Sequence, residues 1–360
     1  MRGSADLDEV DRLLVTVLQT SPRASWEQVG QVLDVSASTA ARRWDRLTES
    51  GLAWFSCLPV QLSRTSFTWA VIEIDCAAMR LHSVAAAIAG DPHVVAVSHV
   101  TGSHDLVVMA AFADQISLGR FLRFRIGGLD GVQSLHVHVV TSLHAVACRW
   151  RLDRLSAPRH AALLADTPTG PKRPACGIGP DAADLALMNA LSANPRQPVA
   201  DLARDTDLSP TSVRRHLMRI DAAKFIVCHL DVARCASGWP IAVHFWGTMP
   251  PDHATQITTQ ITHLRETRFC GTLTGRDNLM FTVWLHSTEA LEPFETLLAR
   301  QIPELVITAR NLVLWNVKFG TNILNPEGQR IRTVPFSLWP NQEAVAAEHK
   351  LLKDMRAGSS

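Results

Sequence analysis

No charge of one sign dominates this sequence. Lys and Arg number 35 against 34 Asp and Glu, a formal net charge of +1. That balance excludes a global basic field as the means of holding a polyanion, so any contact with nucleic acid must be local. Long apolar runs are also missing: none approaches the roughly 20 residues that span a bilayer, and no membrane partner is expected. The opening "MRGSADLDEV" has no apolar core behind its charge, unlike a secretory signal. No two of the seven cysteines are spaced as CxxC, and seven is an odd number. They are expected to be reduced thiols in a cytoplasm, packing as small apolar groups. G-x-S-x-G, a phosphate-binding glycine loop and His-Glu-x-x-His are absent, so no catalytic residue, cofactor or metal is expected and the chain reads as a non-enzyme. Tyrosine does not occur while tryptophan occurs ten times, an imbalance the sequence does not explain.

What is present is 47% hydrophobic and 19% charged residues over 360 positions, enough for two to four folded domains. The dominant feature is an internal repeat with a constant shift of 173 positions. It aligns Asp11 with Asp184, Leu14 with Leu187, Leu18 with Leu191, Pro22-Arg23 with Pro195-Arg196, and Arg42 and Arg46 with Arg215 and Arg219. Further on, "TGSHDL" at Thr101–Leu106 meets "TGRDNL" at Thr274–Leu279 in the same register.

Each copy has a helical and an alternating part. Apolar residues recur at helical spacing at Leu13, Leu14, Val17 and Leu18, and at Leu185, Met188 and Leu191. After a proline comes a second short helix. A turn follows at Asp34-Val35 or Asp207-Leu208, and Ser36 or Ser209 can then cap a third helix. Next come alternating runs separated by helical ones, in the order β-α-β-β-α-β, the ferredoxin-like plan. The expected fold class is α+β: two copies of a winged helix-turn-helix followed by a ferredoxin-like module. The expected domains are 1–62 and 66–147, a linker 148–178, then 179–236 and 239–320, and a tail 321–360 with an amphipathic run from Gln342 to Met355.

The third helix of each copy concentrates what the composition dilutes. "SASTAARRWDRL" at Ser36–Leu47 and "SPTSVRRHLMRI" at Ser209–Ile220 place hydroxyls first and arginines one and two turns later. Small hydroxyl residues permit close approach to the major groove, and arginines reach phosphates or guanine edges. The expected partner is double-stranded DNA, through Ser36, Ser38, Thr39, Arg42, Arg43 and Arg46, and Ser209, Thr211, Ser212, Arg214, Arg215 and Arg219. Copy two is the more basic, because Asp45 and Glu49 lie among the arginines of copy one. The bland alternative is a solvated arginine face, and each such part holds slightly more acids than bases.

These motifs resemble the Lrp/AsnC (feast/famine) transcription regulators over roughly residues 6–146 and 179–319. The resemblance implies a sequence-specific regulator whose ferredoxin-like modules pair, often into larger assemblies. It also implies an amino acid or similar small effector bound at module interfaces. The glycine loops would border that cleft, with Gly102, His104 and Asp105, and Gly275, Asp277 and Asn278, as effector-binding residues; a simple turn role for Gly and Asp explains the same residues. Fusion of two units predicts an intrachain pseudo-dimer, and further homo-oligomerisation is expected. A sirohaem-decarboxylase-like enzyme on the same fold is an alternative, although only Asn278-Leu279 matches that family's segment. A non-DNA interaction scaffold is another. His136-x-His138 places two imidazoles on one strand face where zinc could bridge them with a third ligand, but no third ligand sits at diagnostic spacing. Cys228 and Cys235 show no metal-site spacing.

Overall fold

Helical spacing and side-chain caps set the first three elements. Asp8 accepts from the Asp11 N–H and opens α1 (Glu9–Thr20). Ser25 and Gln28 form a reciprocal capping box at α2 (Trp26–Leu33), and the Ser36 hydroxyl accepts from the Thr39 N–H at α3 (Ala37–Glu49). Such caps satisfy N–H groups that a helix start leaves free. Between α2 and α3 the chain turns at Asp34, which takes a left-handed φ of 58°, a conformation Asp tolerates better than most residues. The second half repeats this arrangement in α6 (Ala182–Ala193), α7 (Val199–Thr206) and α8 (Pro210–Ala223), with Asp207 at φ 55°. The computed structural model describes residues 7–59, 67–145, 150–152, 155–156, 180–223, 225–337 and 342–357. Most of the expected linker 148–178 lies outside the described residues.

Alternating segments form the strands. The first half supplies β1 (Ala53–Pro59), β2 (Thr68–Cys76), β3 (Val94–Val100), β4 (Leu106–Phe112) and β5 (Val132–Ala145). Helix α4 (Leu81–Ala89) follows β2, and α5 (Gln115–Arg120), continued by a π-helical turn at Phe121–Ile126, follows β4. The second half supplies β6 (Ile226–Val232), a short α9 (Arg234–Ser237), β7 (Ile241–Thr248), α10 (Ala254–His263), β8 (Thr267–Leu273), β9 (Leu279–Leu285), α11 (Leu291–Gln301) and β10 (Val306–Phe319).

Within each half the strand order is that of the ferredoxin-like plan, β3-β4-β2-β5 and β8-β9-β7-β10. The two sheets join edge to edge. β5 pairs with β8, and β10 pairs with β3, so eight strands close into a ring and no edge is left unpaired between them. Closure removes the exposed backbone groups that make sheet edges adhesive. One strand face packs beneath the helices, as with Ala70, Ile72 and Ile74. The other faces inward between the sheets, where Val71, Val107, Trp239, Trp246, Met280 and Trp284 are buried together. Trp150 packs at a tilt against Trp284 there, and the buried Arg268 guanidinium lies over both rings at 3.1 and 3.5 Å. A good part of the tryptophan excess thus fills the interior shared by the two halves.

Three expectations need correction. The strands after the two helix-turn-helix units do not form separate wings among the described residues; β1 and β6 pair with each other, antiparallel, across the halves. That register sets Cys57 opposite Cys228, and the two are joined by a disulfide rather than held as free thiols. Their separation of 171 residues hides this in the sequence. Cys76 and Cys270 are buried free thiols. Third, the residues after 320 fold back onto the first half. β11 (Asn322–Leu324) pairs with β10, β12 (Arg330–Thr333) with β11, and the Arg330 N–H donates to the Gly51 carbonyl. α12 (Gln342–Ala357) packs against the α5 segment, where Arg120 Nε meets Glu348 Oε2 at 2.6 Å.

Candidate DNA-binding helices and seam loops

In both helical units a buried carboxylate on the first helix grips the third. Asp11 is 3% exposed and binds Arg43 at 2.8 Å and Arg46 at 2.5 Å. Asp184 is fully buried and binds His216 at 2.8 Å and Arg219 at 2.9 Å, while Asp181 meets Arg219 at 2.6 Å. These are repeat-equivalent pairs: a shift of 173 carries Asp11 onto Asp184 and Arg46 onto Arg219. Arg43, Arg46 and Arg219 therefore position the third helix, whatever else they touch. Arg42, Arg214 and Arg215 are exposed, as are Ser36, Ser38, Ser209 and Thr211; Thr39 and Ser212 are half-buried, their N–H groups taken by the capping serines. The buried faces, Ala40, Trp44 and Leu47 in α3 and Val213, His216 and Ile220 in α8, point the hydroxyl-and-arginine stripe outward.

The glycine loops lie at the two seams of the ring. The Thr101 N–H donates to the Leu312 carbonyl, and the Leu312 N–H donates to Thr101 Oγ1. Thr274 makes the equivalent pair with Val139. Gly102 and Gly275 follow with φ of 110° and 113°, a region that favours glycine. A Cβ at Gly102 would lie 2.2 Å from Asn311 Nδ2, and one at Gly275 3.1 Å from His138 Nδ1. The sequence thus keeps glycine where each half's loop touches the other half's strand.

Asp105 and Asn278 brace these loops. Asp105 Oδ2 accepts from the Cys76 N–H at 2.7 Å, at the end of β2. Asn278 does the same after β7, accepting from the Met249 N–H at 2.9 Å and donating to its carbonyl at 2.8 Å. Since an amide already holds one of these places, Asp105→Asn should leave stability nearly unchanged, while Asp105→Ala orphans a backbone N–H and should cost about 1–3 kcal/mol. Urea denaturation separates the two. If Asn is as damaging as Ala, the charge itself is needed there.

Around His104 stands a polar cluster whose acids escaped the sequence reading. His104 Nδ1 lies 2.8 Å from Asp75 Oδ1, and Ser134 Oγ donates to Asp75 Oδ2. The hydrogen bond from Ser134, and then that from His104, holds the Asp75 carboxyl below its ordinary range. Glu73 Oε2 lies 3.3 Å from His138 Nε2 and 3.8 Å from His104 Nε2. The bond to Glu73 raises the His138 pKa. The His104 and His136 rings are 4.8 Å apart. The available signal was the alternation: Val71, Glu73 and Asp75 share a strand face, and two acids on an inward face ask for partners. Asp277, from the other seam loop, is half-buried.

Comparison with known proteins agrees with this architecture. A model of the AsnC-type helix-turn-helix domain matches residues 7–48, one of the Lrp/AsnC ligand binding domain matches residues 69–145, and one of a winged helix-turn-helix DNA-binding domain matches residues 180–219. The chain thus resembles the Lrp/AsnC family over its first half. Its similarity to the HTH-type transcriptional regulator FL11 of Pyrococcus horikoshii is 28% identity over 141 residues, covering 38% of this chain and 91% of that protein. An uncharacterized HTH-type transcriptional regulator of Pyrococcus abyssi is 28% identical over 135 residues, covering 37% of this chain and 91% of its own. Over the whole length, the fold resembles that of the siroheme decarboxylase NirDL, with a TM-score of 0.56 at 12% identity, covering 95% of this chain and all of that one. Thus an Lrp/AsnC unit of ordinary size accounts for less than half of this chain.

Proposed function

We propose that this chain is a sequence-specific DNA-binding transcription regulator of the Lrp/AsnC type, made of two fused units that pair within one chain as a pseudo-dimer. The carrying observation is that both third helices expose hydroxyls and then arginine, Ser36, Ser38 and Arg42 in one and Ser209, Thr211, Arg214 and Arg215 in the other, while their remaining arginines are tied to the first helix. The similarity to HTH-type transcriptional regulators supports the reading. We take the two units as 1–62 with 66–147 and 179–236 with 239–320, joined by the linker 148–178 and followed by 321–360. A small effector, an amino acid or a compound like it, would act at the seams beside His104 and Asp277, where a change in one loop is felt by the strand of the other half. The protein works in the cytoplasm without catalysis, and chains can associate further. Among the described residues no helix is long and apolar enough to cross a membrane.

The test is binding of a labelled duplex from the gene's own upstream region, with a scrambled duplex as control, across a salt series. Local phosphate contacts predict affinity that falls as salt rises, with a preference for the upstream duplex. Equal binding to both duplexes would contradict sequence specificity. The whole-chain likeness to NirDL gives a second reading, an enzyme acting on a tetrapyrrole. Trp239, Trp246, Trp284 and Met280 fill the space between the sheets, which favours the regulator. A tetrapyrrole absorbance band in the purified protein would favour the enzyme.

A further inference from the structure

The chain pairs two units, yet only the first carries the cluster around His104. The strand register makes the comparison direct. Glu73 faces His136 and Val71 faces His138 across β2 and β5; at the equivalent places Trp246 faces Ala309 and His244 faces Asn311 across β7 and β10. With the shift of 173, Glu73, Asp75, His104, His136 and His138 become Trp246, Thr248, Asp277, Ala309 and Asn311. Three imidazoles and two carboxylates have thus been gathered on one half only. At the seam itself Asn311 donates to the Thr101 carbonyl where His138 meets that of Thr274, so the other four side chains are what the second half does without.

One ligand atom each from Asp75, His104 and His136 lies within 4.8 Å of the others. Among the described residues the ion pairs of Glu73 and Asp75 are with histidines alone. A second cluster, Asp181, Asp184 and His216, has similar spacing, but there Arg219 already supplies the positive charge at 2.6 and 2.9 Å. Among the described residues no guanidinium or ammonium pairs with Asp75.

We propose that Asp75, His104 and His136 bind a divalent transition-metal ion of the zinc, cobalt or nickel group. This goes beyond the regulatory reading and holds whether or not the chain binds DNA. The nitrogen and oxygen donor set suits these ions. Tetrahedral coordination at about 2.0–2.1 Å brings donor atoms to roughly 3.4 Å from one another, so the cluster must tighten. His136 is exposed and can swing. Glu73, between His104 and His138, orients the imidazoles from behind, the usual task of a carboxylate one step from the metal. Three protein ligands leave a fourth position to water or to a donor atom of a small molecule. Because His138 also meets the Thr274 carbonyl at 3.1 Å, metal binding would be sensed at the seam with the second half.

The experiment uses the full chain, stripped with a chelator and separated from it. Zinc is titrated in competition with a chromophoric chelator, and cobalt is followed by its visible ligand-field absorption. The expected result is one ion per chain with bands of a tetrahedral or five-coordinate site. His136→Ala and Asp75→Asn should each weaken binding at least about tenfold, and His263→Ala, at an exposed site on α10, should not. The exposed His136 can be removed without disturbing the fold, which circular dichroism would verify. No bound ion, or parental affinity in both His136→Ala and Asp75→Asn, overturns the proposal.

Discussion

Replacing Arg42, Arg214 and Arg215 together by alanine is expected to lower affinity for the upstream duplex by about 100-fold or more while the protein stays folded. Giving up a hydrogen-bonded base edge costs about 1–3 kcal/mol, and each phosphate left without its arginine flattens the salt dependence by about one unit of slope. The three side chains are exposed and lie on the outward faces of α3 and α8, so their removal alters stability little. Arg214→Ala with Arg215→Ala should account for most of the loss, because α3 carries Asp45 and Glu49 near Arg42. Fluorescence anisotropy across a salt series gives both affinity and slope. Unchanged affinity in the triple variant would remove the assignment of these helices. Arg219 is left out of this variant on purpose: its tie to Asp184 would mix a folding defect with a DNA-binding defect.

Asp184→Ala is expected to be the most destabilising of the single changes considered. Asp184 is fully buried and holds His216 and Arg219, and one of its oxygens accepts from the Asp181 N–H. Removing one member of a buried ionic group leaves the others uncompensated, at a typical cost of 3–5 kcal/mol. Arg219 is about one-third exposed, and solvent screens it in part. On the order of 3 kcal/mol is therefore expected. Hydrogen exchange should show α6 and α8 losing protection while β7 and β9 keep theirs. Equal protection in parent and variant would mean that the carboxylate is not what anchors the third helix.

The same pair shows why part of the molecule was legible. A repeat survives divergence where a side chain has one physical task, and the matches at Asp11 and Arg46 with Asp184 and Arg219 mark a buried contact made twice. The serine caps, the left-handed Asp34 and Asp207 and the seam glycines were readable for the same reason: each is a local backbone requirement. Local periodicity likewise outlined the β-α-β-β-α-β order. It could not say that Arg46 and Arg219 are tied to a carboxylate on the first helix, because a helical stripe of arginine looks the same whether it meets DNA or a buried carboxylate.

Features made by distant segments were hidden. The pairing of β1 with β6, the Cys57–Cys228 bond and the seams β5–β8 and β3–β10 join residues far apart in the chain. No spacing rule reaches across such distances. The residues after 320 looked like a tail because they have no repeat partner, yet their strands extend the sheet at β10 and their helix docks on the first half. At the His104 cluster, His136 and His138 stood out as a pair. Glu73 and Asp75 became their neighbours only through the β2–β5 register.

The central claim is that one chain presents two unlike recognition helices as a single reading unit. Selection of bound duplexes from a random-sequence pool tests it most directly. Helices that differ as α3 and α8 do should enrich a bipartite site at fixed spacing whose halves differ in sequence. The half read by α8 should be the one that degrades when Arg214 and Arg215 are replaced. Enrichment of a perfect palindrome would mean that identical helices from two chains read the site, and failure to enrich any sequence would mean that the chain does not read DNA at all.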